Sequence, residues 1–163
     1  MLLNRKFLLS LVMGILFLPS CASYPPMRER GLTVAVWDLE NLSPAGSSQP
    51  DLGELLSAQI IEAMKKRGDY VVVERERLLL ALEELRLGTT SLVDDATRLK
   101  LGQLIGARRM ILGAYQIIEG QIRLDLRVVE VETGRVRKAV QKIAAASELE
   151  GWLETARKAA EDL

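Results

Sequence analysis

An α/β fold built on a mixed five-stranded sheet, in the order βαβααβββα, is what this sequence predicts, and three features predict it. Apolar runs without alternation occur early, leucines at helical spacing interleave with them, and a pair of strand-like segments separated by short glycine turns follows later. Interleaved strands and helices call for parallel, right-handed crossovers, while consecutive strands with short turns call for an antiparallel meander. At 163 residues, 48% hydrophobic and 27% charged, the chain suits one globular domain with a short appendage.

The first strand is expected over Leu32 to Leu39, "LTVAVWDL", a near-continuous apolar run that suits burial on both faces. A loop rich in Pro, Gly and Ser follows from Asn41 to Asp51. Leu52, Leu55, Leu56, Ile60, Ala63 and Met64 then fall at helical spacing, with Asp51 as N-cap, Lys65-Lys66-Arg67 at the negative end and Gly68 just past it. "YVVVE", Tyr70 to Glu74, is a second strand. A second helix through Leu78, Leu79, Leu82 and Leu85 stops at Gly88. A third, capped by Asp94 or Asp95, carries Ala96, Leu99, Leu101, Leu104 and Ile105 and ends at Gly106, with Gly102 inside it marking close packing. Arg109 to Ile118 is the third strand, and Glu119-Gly120 turns the chain. The next segment, "QIRLDLRVVEV", alternates until Val128-Val129, where the slip predicts a bulge and the alternation predicts one wet face. Glu132-Thr133-Gly134 leads to the fifth strand, "RVRKAVQKIA". A closing helix puts Leu149, Trp152, Leu153, Ala156 and Ala160 on one face, with Ser147 as cap.

Charge and composition narrow the chemistry. Lys plus Arg and Asp plus Glu are 22 each, so no global excess points to nucleic acid, and no cofactor motif is present: there is no G-x-x-x-x-G-K-[ST], no G-x-G-x-x-G after the first strand, no H-E-x-x-H and no Cys cluster. With no histidine, neither the usual general base near neutral pH nor a Ser-His or Cys-His nucleophile is available. One acidic pair, Asp38 and Glu40, stands at the carboxyl end of the first strand beside Trp37 and Asn41, where open α/β sheets bind ligands. On an extended strand both carboxylates would point the same way and could form an acid/base pair or hold a cation. The competing reading is that they cap loop amides and face water. The expectation for the chain as a whole is a non-enzymatic protein.

The last hairpin concentrates basic charge at Arg123, Arg127, Arg135, Arg137, Lys138 and Lys142. This is either a docking surface for an acidic protein, a polyanion or lipid headgroups, or protection of an exposed sheet edge against aggregation. Without interleaved aromatics it does not suit single-stranded nucleic acid. Trp152 reads as core packing, while Trp37, next to the loop, reads equally as core or contact residue.

At the other end of the chain, Arg5 and Lys6 precede an uncharged run from Phe7 to Leu18, the pattern of a signal peptide. At about a dozen residues the run falls short of the roughly 20 needed to span a bilayer as a helix. Leu18-Pro19-Ser20-Cys21 is similar to the lipobox of bacterial lipoproteins, with Pro19 an unusual residue at its position. Cys21, the single cysteine, would become an acylated N-terminus, the alternative being an ordinary secretory signal followed by a free thiol. Each buried acyl methylene contributes about 0.8 kcal/mol, so two or more chains hold a soluble domain at a membrane. Ala22, rather than Asp, resembles lipoproteins sent to the outer membrane. The expected organisation is a signal peptide at 1–20, a lipidated tether at 21–31 reaching roughly 35 Å when extended, and a periplasmic domain at 32–163.

The string "VAVWDLEN", the junction "VVERERL" at Val72 to Leu78, "LG" and "SLVD" between Leu87 and Asp94, "LGQLIGA" at Leu101 to Ala107 and "VVEVETGRV" at Val128 to Val136 together resemble the CsgG family of outer-membrane lipoproteins of curli secretion. The resemblance covers roughly residues 33 to 140. The same module recurs in the N-terminal domain of TolB and in lipoprotein activators of penicillin-binding proteins. The resemblance implies a lipid anchor, a periplasmic module, envelope protein partners and a tendency to form homo-oligomers. A curli channel subunit also inserts two long β-hairpins into the membrane, and here the turns at Glu119-Gly120 and Glu132-Thr133-Gly134 leave no segment for them. The expectation is therefore a module that does not form that pore by itself.

Overall fold

The computed structural model describes residues 31–44, 51–85, 94–145 and 148–163; Cys21, the expected signal peptide at 1–20, the expected tether at 21–31 but for Gly31, Gly88 and Ser147 lie outside them. In chain order the elements are β1 (Leu32–Val36), β2 (Glu40–Asn41), α1 (Leu52–Arg67), β3 (Tyr70–Val72), α2 (Arg75–Glu84), α3 (Asp95–Leu104), β4 (Arg109–Ile118), β5 (Gln121–Glu130), β6 (Val136–Ala145) and α4 (Leu149–Glu161). The main strands lie side by side as β3-β1-β4-β5-β6. β1 is parallel to both β3 and β4, and β4–β5 and β5–β6 are antiparallel, so the expected mixed sheet is present. The two-residue β2 is an addition, paired in parallel with β4 alone.

Alternation along β1 explains why that segment is apolar throughout. Val34 and Val36 join a core with Leu56, Ile60 and Met64 of α1 and Trp152 and Ala156 of α4. Ala35 and Trp37 join a second core, on the opposite face, with Leu78 and Leu82 of α2, Leu101 of α3 and Ile105 just past its end. Burying each large aliphatic side chain in these layers contributes about 2 kcal/mol relative to leaving it in water. The second core reaches only the near end of the meander, at Met110, Leu112, Val129 and Val131. Farther along β5, Ile122, Leu124 and Leu126 stay buried under α1 and α4, while Arg123, Asp125 and Arg127 face out. This is the wet face that the alternation predicts.

Several local details differ from the sequence reading, among them the second strand, which stops at Val72 rather than Glu74 because Glu74 already leads into α2. The first strand ends at Val36 rather than Leu39, because the chain turns toward α1, where the Leu39 amide donates to the Gly53 carbonyl at 3.4 Å. Asp51 precedes α1 but sits in the left-handed region (φ 65°) and its side chain makes no cap bond; Asp94 does cap α3, accepting from the Thr97 amide at 2.7 Å. The bulge lies at Val128/Val129 as expected, but its extra residue is in β6. Val128 pairs with Lys138 and Val129 with Val136, which leaves Arg137 over. The apolar pair Val128-Val129 reflects a strand covered on both faces at that point, not a break in its own alternation.

Candidate functional site

The carboxyl end of β1 is a kink held from three sides. Trp37 stays in the ladder, donating its amide to the Ile111 carbonyl at 3.0 Å, and its ring is buried in the second core. Leu39 turns into the first core, against Gly53. A Cβ on Gly53 would stand 2.2 Å from the Leu39 carbonyl oxygen, so only glycine admits this approach. Past the kink, the Asn41 side chain accepts from the Ser43 amide at 2.8 Å, and Ser43 Oγ accepts from the Ile117 amide at 3.0 Å, clipping the loop to β4.

The two carboxylates do not converge. The strand alternation that would align them is interrupted by the kink, and each goes to its own partners. Asp38 accepts from the Ser57 hydroxyl of α1 at 2.9 Å and from Arg75 of α2 at 2.8 Å, and Arg75 also pairs with Glu54 at 3.4 Å. Glu40 turns instead to Arg98 of α3, 3.9 Å away. Neither Asp38 nor Glu40 simply faces water. Among the described residues, no group of three or more acidic, His or Cys side chains is placed to hold a metal ion.

Arg98, Ser57 and Arg75 are the residues that sequence reasoning missed. Arg98 is nine-tenths buried; its guanidinium lies over the Trp37 ring at 5.5 Å and donates to Asp95 at 3.1 Å. The available signal is periodicity: Arg98 shares a helical stripe with Leu101, Gly102 and Ile105, and Ser57 sits on the buried stripe of α1.

The basic residues of the hairpin are divided by the pleat. On the wet face, Arg123 bonds Asp125 at 2.7 Å and Arg127 reaches Asp95 at 2.5 Å. Arg137, at the bulge, bonds Glu130 at 2.6 Å. Lys138 and Lys142 pair across from Val128 and Leu124, on the α4 side, and Lys142 forms an ion pair with Asp162. Arg135 is exposed in the turn before β6. The wet face and the kink meet in a groove of about 490 Å³ lined by Glu40, Leu42, Arg98, Asp125, Arg127 and Gln141, with Ala114 and Ala139 in its floor. The hairpin's Arg127, through Asp95, and Glu40 of β2, directly, thus belong to one network around Arg98.

A sheet covered by helices on both faces at its parallel end, and on one face at its antiparallel end, defines a three-layer α/β module. The family described as "Curli production assembly/transport component CsgG" matches residues 20–118, and the chain belongs to it. No curated protein sequence matches significantly. Solved structures share the fold. The C-terminal domain of LpoB from Salmonella enterica is 17% identical with a TM-score of 0.60, over 71% of this chain and 83% of that one. Lipoprotein GNA1162 from Neisseria meningitidis is 13% identical at 0.58, over 69% and 78%. The PelC dodecamer from Paraburkholderia phytofirmans is 15% identical at 0.53, over 82% and 89%.

Proposed function

We propose that this chain is a non-enzymatic lipoprotein, held at the outer membrane through an acylated Cys21 and facing the periplasm, that binds protein partners during export or assembly of a cell-surface structure. The observation that carries this reading is how the kink is filled. Where an open α/β sheet would take a small ligand, Asp38 is tied to Ser57 and Arg75, and Trp37 and Leu39 are buried. The surface left open is the antiparallel end, with the charged wet face of β5 and the groove beside it. Family membership supports a role in assembly or transport. The connections between strands, Glu119-Gly120 and residues 131–135, have no room for membrane-spanning hairpins, which supports an accessory module rather than a pore subunit. Among the described residues no helix is long and apolar enough to cross a membrane; the lipobox-like Leu18 to Cys21 supports attachment through acyl chains on Cys21.

Crosslinking with mass spectrometry on native membranes tests the proposal. Crosslinks to an envelope export or assembly protein are expected. Crosslinks to a peptidoglycan enzyme would favour a regulator of cell-wall synthesis instead, and self-contacts alone would favour a homo-oligomer and count against the accessory role.

A further inference from the structure

β6 is the outermost strand at the antiparallel end, ten residues long and exposed or half-exposed throughout. The opposite edge, β3, is only three residues long. A long edge strand offers a row of backbone donors and acceptors to another chain. Which groups these are follows from the β4–β5 turn. Glu119 (φ 49°) and Gly120 (φ 75°) form a turn of type I′, whose flanking residues Ile118 and Gln121 exchange both backbone hydrogen bonds. Alternation then directs the even-numbered residues of β5 and β6 at each other, in keeping with the Glu130 amide bonded to the Arg135 carbonyl. The N–H and C=O groups of Ala139, Gln141, Ile143 and Ala145 therefore point off the sheet. The bulge that roughens this edge is confined to Arg137, before that row.

The side chains select the occupant. From Thr133 to Ser147 the sequence holds Arg135, Arg137, Lys138 and Lys142 and no acidic residue. A second copy of β6, in any register, would bring cations and no carboxylate to meet them. On this basis we infer that the β6 edge binds an extended acidic segment of a partner protein, which adds as a further strand outside β6. Its acidic side chains fall opposite Lys138 and opposite Lys142, which would share itself between the partner and Asp162, on the α4 side, and an apolar residue of the same strand covers Ile143, which is 60% exposed on the other. This rests on the reading of the chain as a partner-binding protein and names the surface and the chemistry of the partner.

The test uses the full-length protein in detergent micelles, a fluorescent peptide alternating Glu with Val, and a counterpart with Lys in place of Glu. The acidic peptide is expected to bind about tenfold or more tightly than the basic one and to slow hydrogen exchange at the amides of 139, 141, 143 and 145. Ile143→Pro removes an outward donor at an edge position that tolerates proline, and should weaken the acidic peptide by about tenfold; Ile143→Val, which keeps the amide and an apolar side chain, should stay within about twofold. Unchanged exchange at Leu124 and Lys142 shows that the proline variant is folded. Equal binding of both peptides, undiminished binding by the folded proline variant, or outward amides already protected in a peptide-free dimer would overturn the inference. Membrane crosslinks to a foreign protein that avoid β6 would remove it while leaving the proposed function standing. Acidic-peptide binding at β6 without any foreign crosslink would remove that function alone.

Discussion

The guanidinium of Arg98 stacks on the Trp37 indole at 5.5 Å while its Nη1 donates to Asp95 at 3.1 Å, so one buried cation joins the end of β1 to the start of α3. Arg98→Ala should expose the ring and leave Asp95 and Glu40 without their shared partner. The expected loss is about 2 kcal/mol in urea unfolding, below the range for fully buried pairs because both carboxylates are half exposed. Arg98→Met keeps an apolar stem on Trp37 and should recover part of that loss. Equal stability of wild type and Arg98→Ala would show that the stack contributes nothing.

Arg98 also shows where sequence reading stops. Helix ends are local, so Asp94 before α3 and Gly68 after α1 are legible from residue type and spacing, and both stand where expected. Gly102 is legible too, its Cα side standing against Met110 and Val131. The end of β1 is not legible, since it depends on Gly53, a residue beyond the loop, accepting Leu39. The same holds for the partners of Asp38: Ser57 and Arg75 arrive from two different helices. In β6 the cations are visible as a cluster, but their division between faces depends on the Arg137 bulge, which the neighbouring strand's alternation placed on the wrong side of the pair.

Gly53→Ala is expected to be costly out of proportion to its size. The new Cβ would lie 2.2 Å from a backbone oxygen, which has no rotamer by which to move away. Separating α1 from the kink should destabilise the domain by about 3 kcal/mol. Gly68→Ala is the control: nothing lies within 4 Å of its Cβ, and its left-handed φ of 74° should cost about 1 to 2 kcal/mol. Thermal melts that rank the two variants the other way would refute the close approach.

Stability should be level between about pH 5 and 8, since the chain has no histidine. Below that range it should fall. Arg157, hydrogen-bonded to Glu154, holds that carboxyl down to about 2 from an ordinary 4.5. The Thr133 hydroxyl and Arg137 lower Glu130, Thr97 lowers Asp94, and Lys142 lowers Asp162. Groups depressed in the folded state contribute fully above their unfolded values and lose that contribution as pH falls through the folded ones. The melting temperature should therefore decline from about pH 4.5 toward 2, and Glu154→Gln should make the decline shallower. A decline of the same slope in that variant would assign it to other carboxylates.

Cys21 decides where all of this happens. If it is the acylated N-terminus, cells given a clickable fatty acid should label the protein, the label should partition with the outer membrane, and Cys21→Ser should abolish it. The free-thiol alternative predicts the opposite pair of results, with no lipid label on the wild type and a Cys21 that reacts with maleimide in the released protein. Lipid attachment has a further consequence for β6. If Cys21 is acylated as proposed, a tether reaching roughly 35 Å would keep the domain within a few molecular diameters of the membrane, and an acidic segment presented there would meet the edge at high effective concentration. A Cys21→Ser protein should then lose its envelope crosslinks at β6 while still binding the acidic peptide in solution. Retention of those crosslinks without the lipid would show that the partner interaction needs no membrane confinement.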